Sequence, residues 1–324
     1  MPLYKGTTEI ASGKLYKGTT EIDKLYKGTS LLYQNQIPFN SHFLIVGGGG
    51  SGGRFVNTWD NDGSPDALYT GGGGAGGVRT SFGSTNGGGQ SVDSQLNLIT
   101  ENEYTITVGD GGTSPGSAVG TTGNAGGETS IAGLISVGGG AGGGGNYGTS
   151  GSGLTIPLAA PTNGGGGGGG ATSKNYGSGS GTSGGTSGTY GFDGAASGSA
   201  NTTSTYGGAG GGGASTQTGS GASGGSFTVA ITGSNITVGY GGRGGRNSSE
   251  SHIALTTPGQ GGNGGSQEDA YSNLAPQAGN KGIVILRFPN TRNYTASGSP
   301  TLTTDGSDKI LQWTTAGTYT ITFT

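Results

Sequence analysis

HFLIVGGGGSGG, residues 42–53, joins four unbroken apolar residues to a segment that is glycine at every position but Ser51. A strand-forming run hands over directly to chain with almost no side chains. Glycine-rich runs return at residues 71–77, 138–145, 164–170, 207–213, 239–245 and 259–265. These runs, rather than any catalytic motif, organise the sequence.

With 82 glycines in 324 residues and 28% hydrophobic side chains, composition argues against an ordinary layered core. Plain reading of so much Gly, Ser and Thr is flexible linker. Against it stand well-formed strand signals: FLIV (43–46), YTITV (104–108), IAGLISV (131–137), SFTVAI (226–231), NITV (235–238) and GIVILRF (282–288). Ordering glycine costs roughly 1 to 2 kcal/mol of backbone entropy per residue and buries no side chain in return, so something regular must offset it. A left-handed polyproline-II-type helix meets the need, because bare glycine faces let neighbours approach until N–H and C=O pair between helices. The expected fold is therefore irregular and glycine-rich: a sandwich of packed polyglycine-II helices with a few flanking β-strands. Short β-hairpin repeats precede it and a small all-β piece follows. A collagen triple helix is excluded by the missing Gly-X-Y period and only 10 prolines.

Four regions are expected. Residues 1–32 repeat one unit three times, LYKGTTEI at Leu3, LYKGTTEI at Leu15 and LYKGTSLL at Leu25, each reading as strand, turn, strand. Units this short cannot bury an apolar face alone, so they either pack together as a β cap or anchor the chain to a partner through Leu3, Tyr4, Ile10, Leu15, Tyr16, Ile22, Leu25, Tyr26 and Leu32. Three near-identical copies suit a three-fold symmetric partner. Residues 33–41 read as linker, 42–288 as the glycine-rich domain and 289–324 as a C-terminal β-hairpin region, turning at Ala316-Gly317 within KILQWTTAGTYTITFT. GIVILRF is expected to pair with HFLIV.

The strings FLIVGGGGSGG, YTITVGDGG, NAGGETSIAGLISVGGGAGGGG, GGNGG and KGIVILRF, in that order over about residues 43–288, resemble the glycine-rich domain of bacteriophage tail-fibre and tail-tip adhesins. A similar glycine lattice occurs in the ectodomains of some animal receptor kinases and in an insect antifreeze protein. The phage resemblance implies packed polyglycine-II helices carrying variable loops that bind the host surface. The LYKGT leader and the Ser/Thr-rich segment 171–206 depart from that family's pattern.

Motifs for chemistry are sparse. Gly47, Gly49 and Gly52 match G-x-G-x-x-G after a strand, but RFVNTWDNDGSP after them is no helix, and this composition meets the spacing repeatedly. Two histidines, His42 and His252, and no cysteine disfavour metal or nucleophile sites. Asp60, Asp62 and Asp66 weakly resemble a calcium loop without its closing glutamate, and a solvated turn is the plainer reading. No cofactor is expected and no enzymatic activity. A net charge of −3 argues against nucleic acid, and no apolar run reaches the length of a membrane helix. MPLYKGTTEI has no apolar signal-peptide core, as expected of a virion component.

Aromatic residues stranded in polar segments are the binding candidates: Trp59, Tyr69, Tyr147, Tyr176, Tyr190, Phe192, Tyr206 and Tyr271. Tyr and Trp give rigid contact area to sugars or proteins at little entropic cost, although some would instead cap the lattice. The sequence thus points to a phage receptor-binding adhesin, its N-terminus on a fibre or baseplate protein and its loops on a bacterial glycan or outer-membrane protein. A structural fibre, decoration or adaptor subunit is the alternative, and ice binding a further one.

Overall fold

A computed structural model of the chain describes residues 3–5, 8–10, 15–17, 20–22, 24–27, 29–34, 36–56, 68–116, 121–146, 158–160, 162–175, 178–181, 183–196, 210–216, 223–245, 252–267 and 273–324. The strands in chain order begin with three hairpins: β1 (Leu3–Lys5) with β2 (Thr8–Ile10), β3 (Leu15–Lys17) with β4 (Thr20–Ile22), and β5 (Lys24–Lys27) with β6 (Ser30–Gln34). There follow β7 (Pro38–Val46), β8 (Phe55–Val56), β9 (Leu68–Tyr69), β10 (Val78–Thr80), β11 (Leu96–Ile99), β12 (Glu103–Val108), β13 (Thr129–Ile131), β14 (Leu134–Ser136), β15 (Gly144–Asn146) and β16 (Leu158–Ala159). The remainder are β17 (Thr172–Asn175), β18 (Ser178–Gly181), β19 (Phe227–Val229), β20 (Ile236–Val238), β21 (Ser266–Gln267), β22 (Asn273–Leu274), β23 (Ile283–Pro289), β24 (Tyr294–Ala296), β25 (Thr301–Asp305), β26 (Asp308–Trp313) and β27 (Gly317–Phe323).

Each LYKGT repeat closes on itself. Leu3 pairs with Ile10 and Leu15 with Ile22, while Lys5 opposite Thr8 and Lys17 opposite Thr20 leave two residues to turn the chain. Lys27 opposite Ser30 repeats the turn in the third copy, which carries an irregular register at Leu25/Tyr26. Among the described residues none of the three hairpins is laddered to another sheet.

The apolar strands assemble two facing sheets. In the first, β7 pairs with β23 from Val46↔Ile283 to His42↔Arg287, β23 pairs with β26, and β26 with β25. The other side of β7 takes β10 beside residues 44–46 and β11 beside 38–41, so Pro38 to Ser41, expected to be linker, already belong to the strand. The second sheet runs β14-β13-β12-β27-β24. Phe43, Ile45, Leu286 and Phe288 of the first sheet meet Ile106, Ile321 and Phe323 of the second in one core. Phe323 stands edge-on to Phe39 at 4.9 Å and to Phe288 at 5.0 Å, the favoured aromatic geometry. On the opposite face of the first sheet, Leu44, Val46, Ile283, Ile285 and Ile310 are covered by the β19–β20 hairpin through Val229, Ile231 and Val238. Burial on both faces explains why FLIV and IVIL are unbroken apolar runs instead of alternating ones. Arg287 is held within the first sheet by Asp308 on its Nε and Asp305 on its Nη1, both at 2.8 Å, and its Nη1 reaches the third layer at Ile231 O at 3.2 Å.

A layered core therefore exists where composition argued against one, because the apolar residues are concentrated in these strands. The hairpin expected across Ala316-Gly317 is not formed either. β26 lies in the first sheet and β27 in the second, and the tight turn is instead β25–β26 through Gly306, at φ +59°. Splitting the two strands between facing sheets lets Trp313, Ile321 and Phe323 share one core, which adjacency within a single sheet would not achieve.

The expected sandwich of polyglycine-II helices is corrected. The chain is nearly all β in its regular elements, with 34% strand, 1% helical residues and antiparallel sheets. The helical content among the described residues is a single 3-10 turn at Gly87–Gly89. The glycine runs form no helix; they prolong the sheet strands. Val46 is opposite both Val78 and Ile283, and past it Gly47, Gly50 and Gly53 donate to Gly77, Gly74 and Gly71, while Gly49 and Gly52 donate to Asn280 and Gln277. Both antiparallel registers are kept. Gly48, Ser51 and Arg54 turn to a third segment, donating to Gly127, Asn124 and Thr121. Carbonyls of the same stretch accept from three further segments through Gly139 and Gly142, through Gly112, and through Gly262 and Gly265. A strand with side chains has two lateral neighbours, whereas this one has six. Glycine permits it: at Gly47 to Gly50, Gly52 and Gly53 an added Cβ would come within 3.0 Å of a neighbouring carbonyl. Ser51 is the exception in the run, and its buried hydroxyl accepts the Asn124 N–H at 2.7 Å.

Candidate functional site

The glycine segments run between two ends. At the sandwich end Gly77 N donates to Val137 O, Gly76 N to Gly259 O, Gly239 N to Pro258 O and Gly282 N to Gly109 O. The far end is a second bonded layer. There Gly53 N donates to Gly71 O, Gly71 N to Gly143 O, Gly143 N to Gly169 O, Gly170 N to Ala195 O and Ala195 N to Gly210 O. Gly245 N joins it through Thr70 O, and Thr70 N through Gly265 O. Thr70, fully buried, adds its hydroxyl to Gly53 O and Gly265 O. From this layer the chain leaves at residues 54, 144, 171, 196, 246 and 266, so six polar interruptions of the lattice start side by side. Two small sheets, β16-β15-β8 and β18-β17-β9-β21-β22, brace the exits.

The binding candidates divide accordingly. Trp59, Tyr147, Tyr176, Tyr206 and Tyr271, with Asp60, Asp62 and Asp66, lie outside the described residues, but the segments holding them begin and end in the far layer. Tyr69 is a correction: at 1% exposure in β9 it is a core residue, not a contact loop. Phe192 is half-buried in a lattice segment, with its N–H on Gly213 O and its carbonyl receiving Gly167 N. Tyr190 sits at the sandwich end, where its carbonyl accepts Val78 N and its ring lies 4.6 Å under the Arg79 guanidinium. Arg79 is in turn held by Asp93 at 3.0 Å. Of the anchor residues, Leu3, Tyr4, Ile10, Leu15, Tyr16, Ile22, Tyr26 and Leu32 stand in the hairpin strands and Leu25 is half-buried.

Side chains that sequence reasoning passed over hold the layer's flank. Gln260 and Asn263, three apart on one glycine segment, reach the returning segment of residues 252–258, with Gln260 Nε2 on Ala254 O and Asn263 Nδ2 on Ile253 O. Gln260 Oε1 also accepts Thr256 N and Thr257 N, and Asn280 Nδ2 donates to Thr257 O. The available signal was the Q-x-x-N spacing of GQGGNGG and of QAGN. His252 opens this return, its Nε2 3.3 Å from Gly264 O. Burial holds its pKa below the ordinary value, and the positive charge of Arg243 adds to the effect against the Gly264 hydrogen bond.

Among the described residues no group of three His, Cys, Asp or Glu could hold a metal, and no helix is long and apolar enough to cross a membrane. No family model matches the chain, and no curated protein matches it.

Proposed function

We propose that this chain is a receptor-binding adhesin of a bacteriophage tail fibre or tail tip. The carrying observation is that six polar interruptions of the glycine lattice leave from one hydrogen-bonded layer at the end remote from the β-sandwich. Loops held on a six-neighbour lattice lose less freedom when they bind, so affinity is not spent on ordering their bases. The mechanism is non-catalytic. Segments bearing Trp59, Tyr147, Tyr176, Tyr206 and Tyr271 contact a bacterial surface glycan or outer-membrane protein.

The three self-closed hairpins form the mount. A two-stranded hairpin is marginal alone in water, so three in series require a partner, a fibre or baseplate protein with three equivalent surfaces. The resemblance of the ordered strings to phage tail adhesins supports the same reading. The test is attachment: purified full-length protein binds host cells, and antibody raised to the far-end segments blocks phage adsorption. Protein that ignores host cells, with adsorption indifferent to the antibody, refutes it in favour of a structural fibre or adaptor subunit.

A further inference from the structure

The outer strands of the two facing sheets are protected, with one exception. β14 gives Ile135 O to Arg79 Nη1 at 3.1 Å, and just past it Val137 O takes Gly77 N at 2.9 Å. β10 sends Val78 N to Tyr190 O and takes Asp93 N on Thr80 O, while the Tyr104 hydroxyl sits on Ile99 N of β11 at 2.7 Å. β24 is only three residues long. Capping and brevity are usual defences of a sheet edge against further pairing.

β25 has neither. Its register against β26 runs unbroken from Thr301↔Gln312 to Asp305↔Asp308, and no lysine or proline interrupts TLTTD. Thr301, Leu302, Thr303 and Thr304 are all exposed, Leu302 at 47%. The single charge, Asp305, is held by Arg287 at 2.8 Å. Which backbone groups face outward follows from the hairpin. Asn290 N–H on Ser307 O puts Ser307 on the β23 side of β26, so Asp308 turns its own N–H and C=O to Asp305. Alternation then bonds Thr303 and Thr301 to β26 and leaves the N–H and C=O of Leu302 and Thr304 pointing away from the sheet. Nothing among the described residues pairs with them.

We propose that β25 is a self-association edge, pairing antiparallel with β25 of a second copy about a two-fold axis at Thr303. The two outward residues are two apart, so the axis sets Leu302 of each copy against Thr304 of the other and satisfies the N–H and C=O of both. Thr303 meets its own counterpart, a favourable cross-strand pair, and Asp305 falls opposite Thr301, so no like charges meet. A foreign strand would find one apolar side chain, Leu302, to recognise, whereas a second copy matches the edge along its length. The glycine lattices of the two copies leave in opposite directions, and both far layers stay free.

Sedimentation equilibrium of the full chain at rising concentration should show the mass moving from one copy to two. Thr304→Pro removes an outward N–H and no bond of the β25–β26 ladder, so it should weaken dimerisation about ten-fold or more at unchanged melting temperature. The chain has no cysteine, so Thr303→Cys supplies a single thiol. That thiol faces itself across the axis with about 4.5 Å between Cα atoms, within disulfide reach. Air oxidation should link it into a covalent dimer, while Thr301→Cys, set opposite Asp305, should stay unlinked. Parent protein that is monomeric at every concentration, or Thr304→Pro that associates like the parent, overturns the proposal. So does Thr303→Cys that fails to link, or that links no better than Thr301→Cys. Should Thr304→Pro unfold, the cysteine variants decide.

Discussion

Replacing Gly49 by alanine strikes a strand with six neighbours. A Cβ there would come within 3.0 Å of Gln260 O, Gln260 C and Gly261 N, all backbone atoms with no rotamer to yield. The 259–265 segment has to move away. It is tied to the same strand by Gly262 N to Gly50 O at 2.7 Å, while Gly49 itself donates to Asn280 O and accepts from Gly112, both at 2.8 Å. Overpacking costs about 1 to 3 kcal/mol, and each buried donor left unmatched costs about as much again. With two such bonds stretched, the loss is about 4 to 6 kcal/mol, a large part of the roughly 5 to 15 kcal/mol that holds a domain folded. At about 2 °C or more per kcal/mol, Gly49→Ala should lower the melting temperature by roughly 10 °C or leave the protein insoluble. Gly116→Ala is the control, since that glycine is exposed and nothing lies within 4 Å of its added Cβ. Its effect should stay within about 0.5 kcal/mol. Thermal melts of both variants beside the parent decide the matter. Equal melting temperatures would refute close packing around residues 47–53.

Removing residues 1–34 should leave the melting temperature of the remainder unchanged while abolishing incorporation into virions, measured by co-sedimentation. Arg287→Met removes hydrogen bonds to two carboxylates of its own sheet and the one to Ile231 O that reaches the β19–β20 layer, and should cost about 2 kcal/mol by urea unfolding. His252 favours its neutral form when folded, so its stabilising contribution is complete above the ordinary histidine value of 6.5. As pH falls below 6.5 the unfolded chain takes up the proton first, and stability is lost until the folded pKa is passed. Denaturation at pH 7.5 and 5 should therefore show a decrease on acidification that is smaller in His252→Gln.

The elements legible in the sequence were those whose pattern obeys a single constraint. GIVILRF pairs with HFLIV because an unbroken apolar run needs cover on both faces, which these central strands of the first sheet receive from the second sheet on one side and the β19–β20 hairpin on the other. The LYKGT units read as hairpins because a two-residue turn leaves no other pairing for strands of three residues. Tyr69 misled because Ala-Leu-Tyr before a glycine run looks like the edge of a loop, whereas β9 is enclosed between β17 and β21, partners distant in sequence. Alternation in KILQW and TYTITF marked both as strands, but alternation does not say which sheet a strand joins.

The same chain changes its mode of association between Val46 and Gly47 without changing its registers. From Pro38 to Val46 every residue carries a Cβ, which excludes neighbours above and below the sheet, and those faces must be filled by side chains from another layer. From Gly47 the Cβ is gone and backbone fills the same space, so a third and further segments enter at hydrogen-bonding distance. The two regimes stabilise each other. The sandwich fixes the relative positions of strands such as β7, β10 and β23, so the glycine segments leaving them start already aligned and need not find their register among many equivalent slips. The lattice in turn carries that alignment to the far layer, which neither of the two apolar clusters among the described residues reaches. A glycine lattice without the sandwich would lack a defined register, and a sandwich without the lattice would present its polar segments from strand ends of unequal length. Placing the binding segments at the far end therefore follows from where the side chains stop.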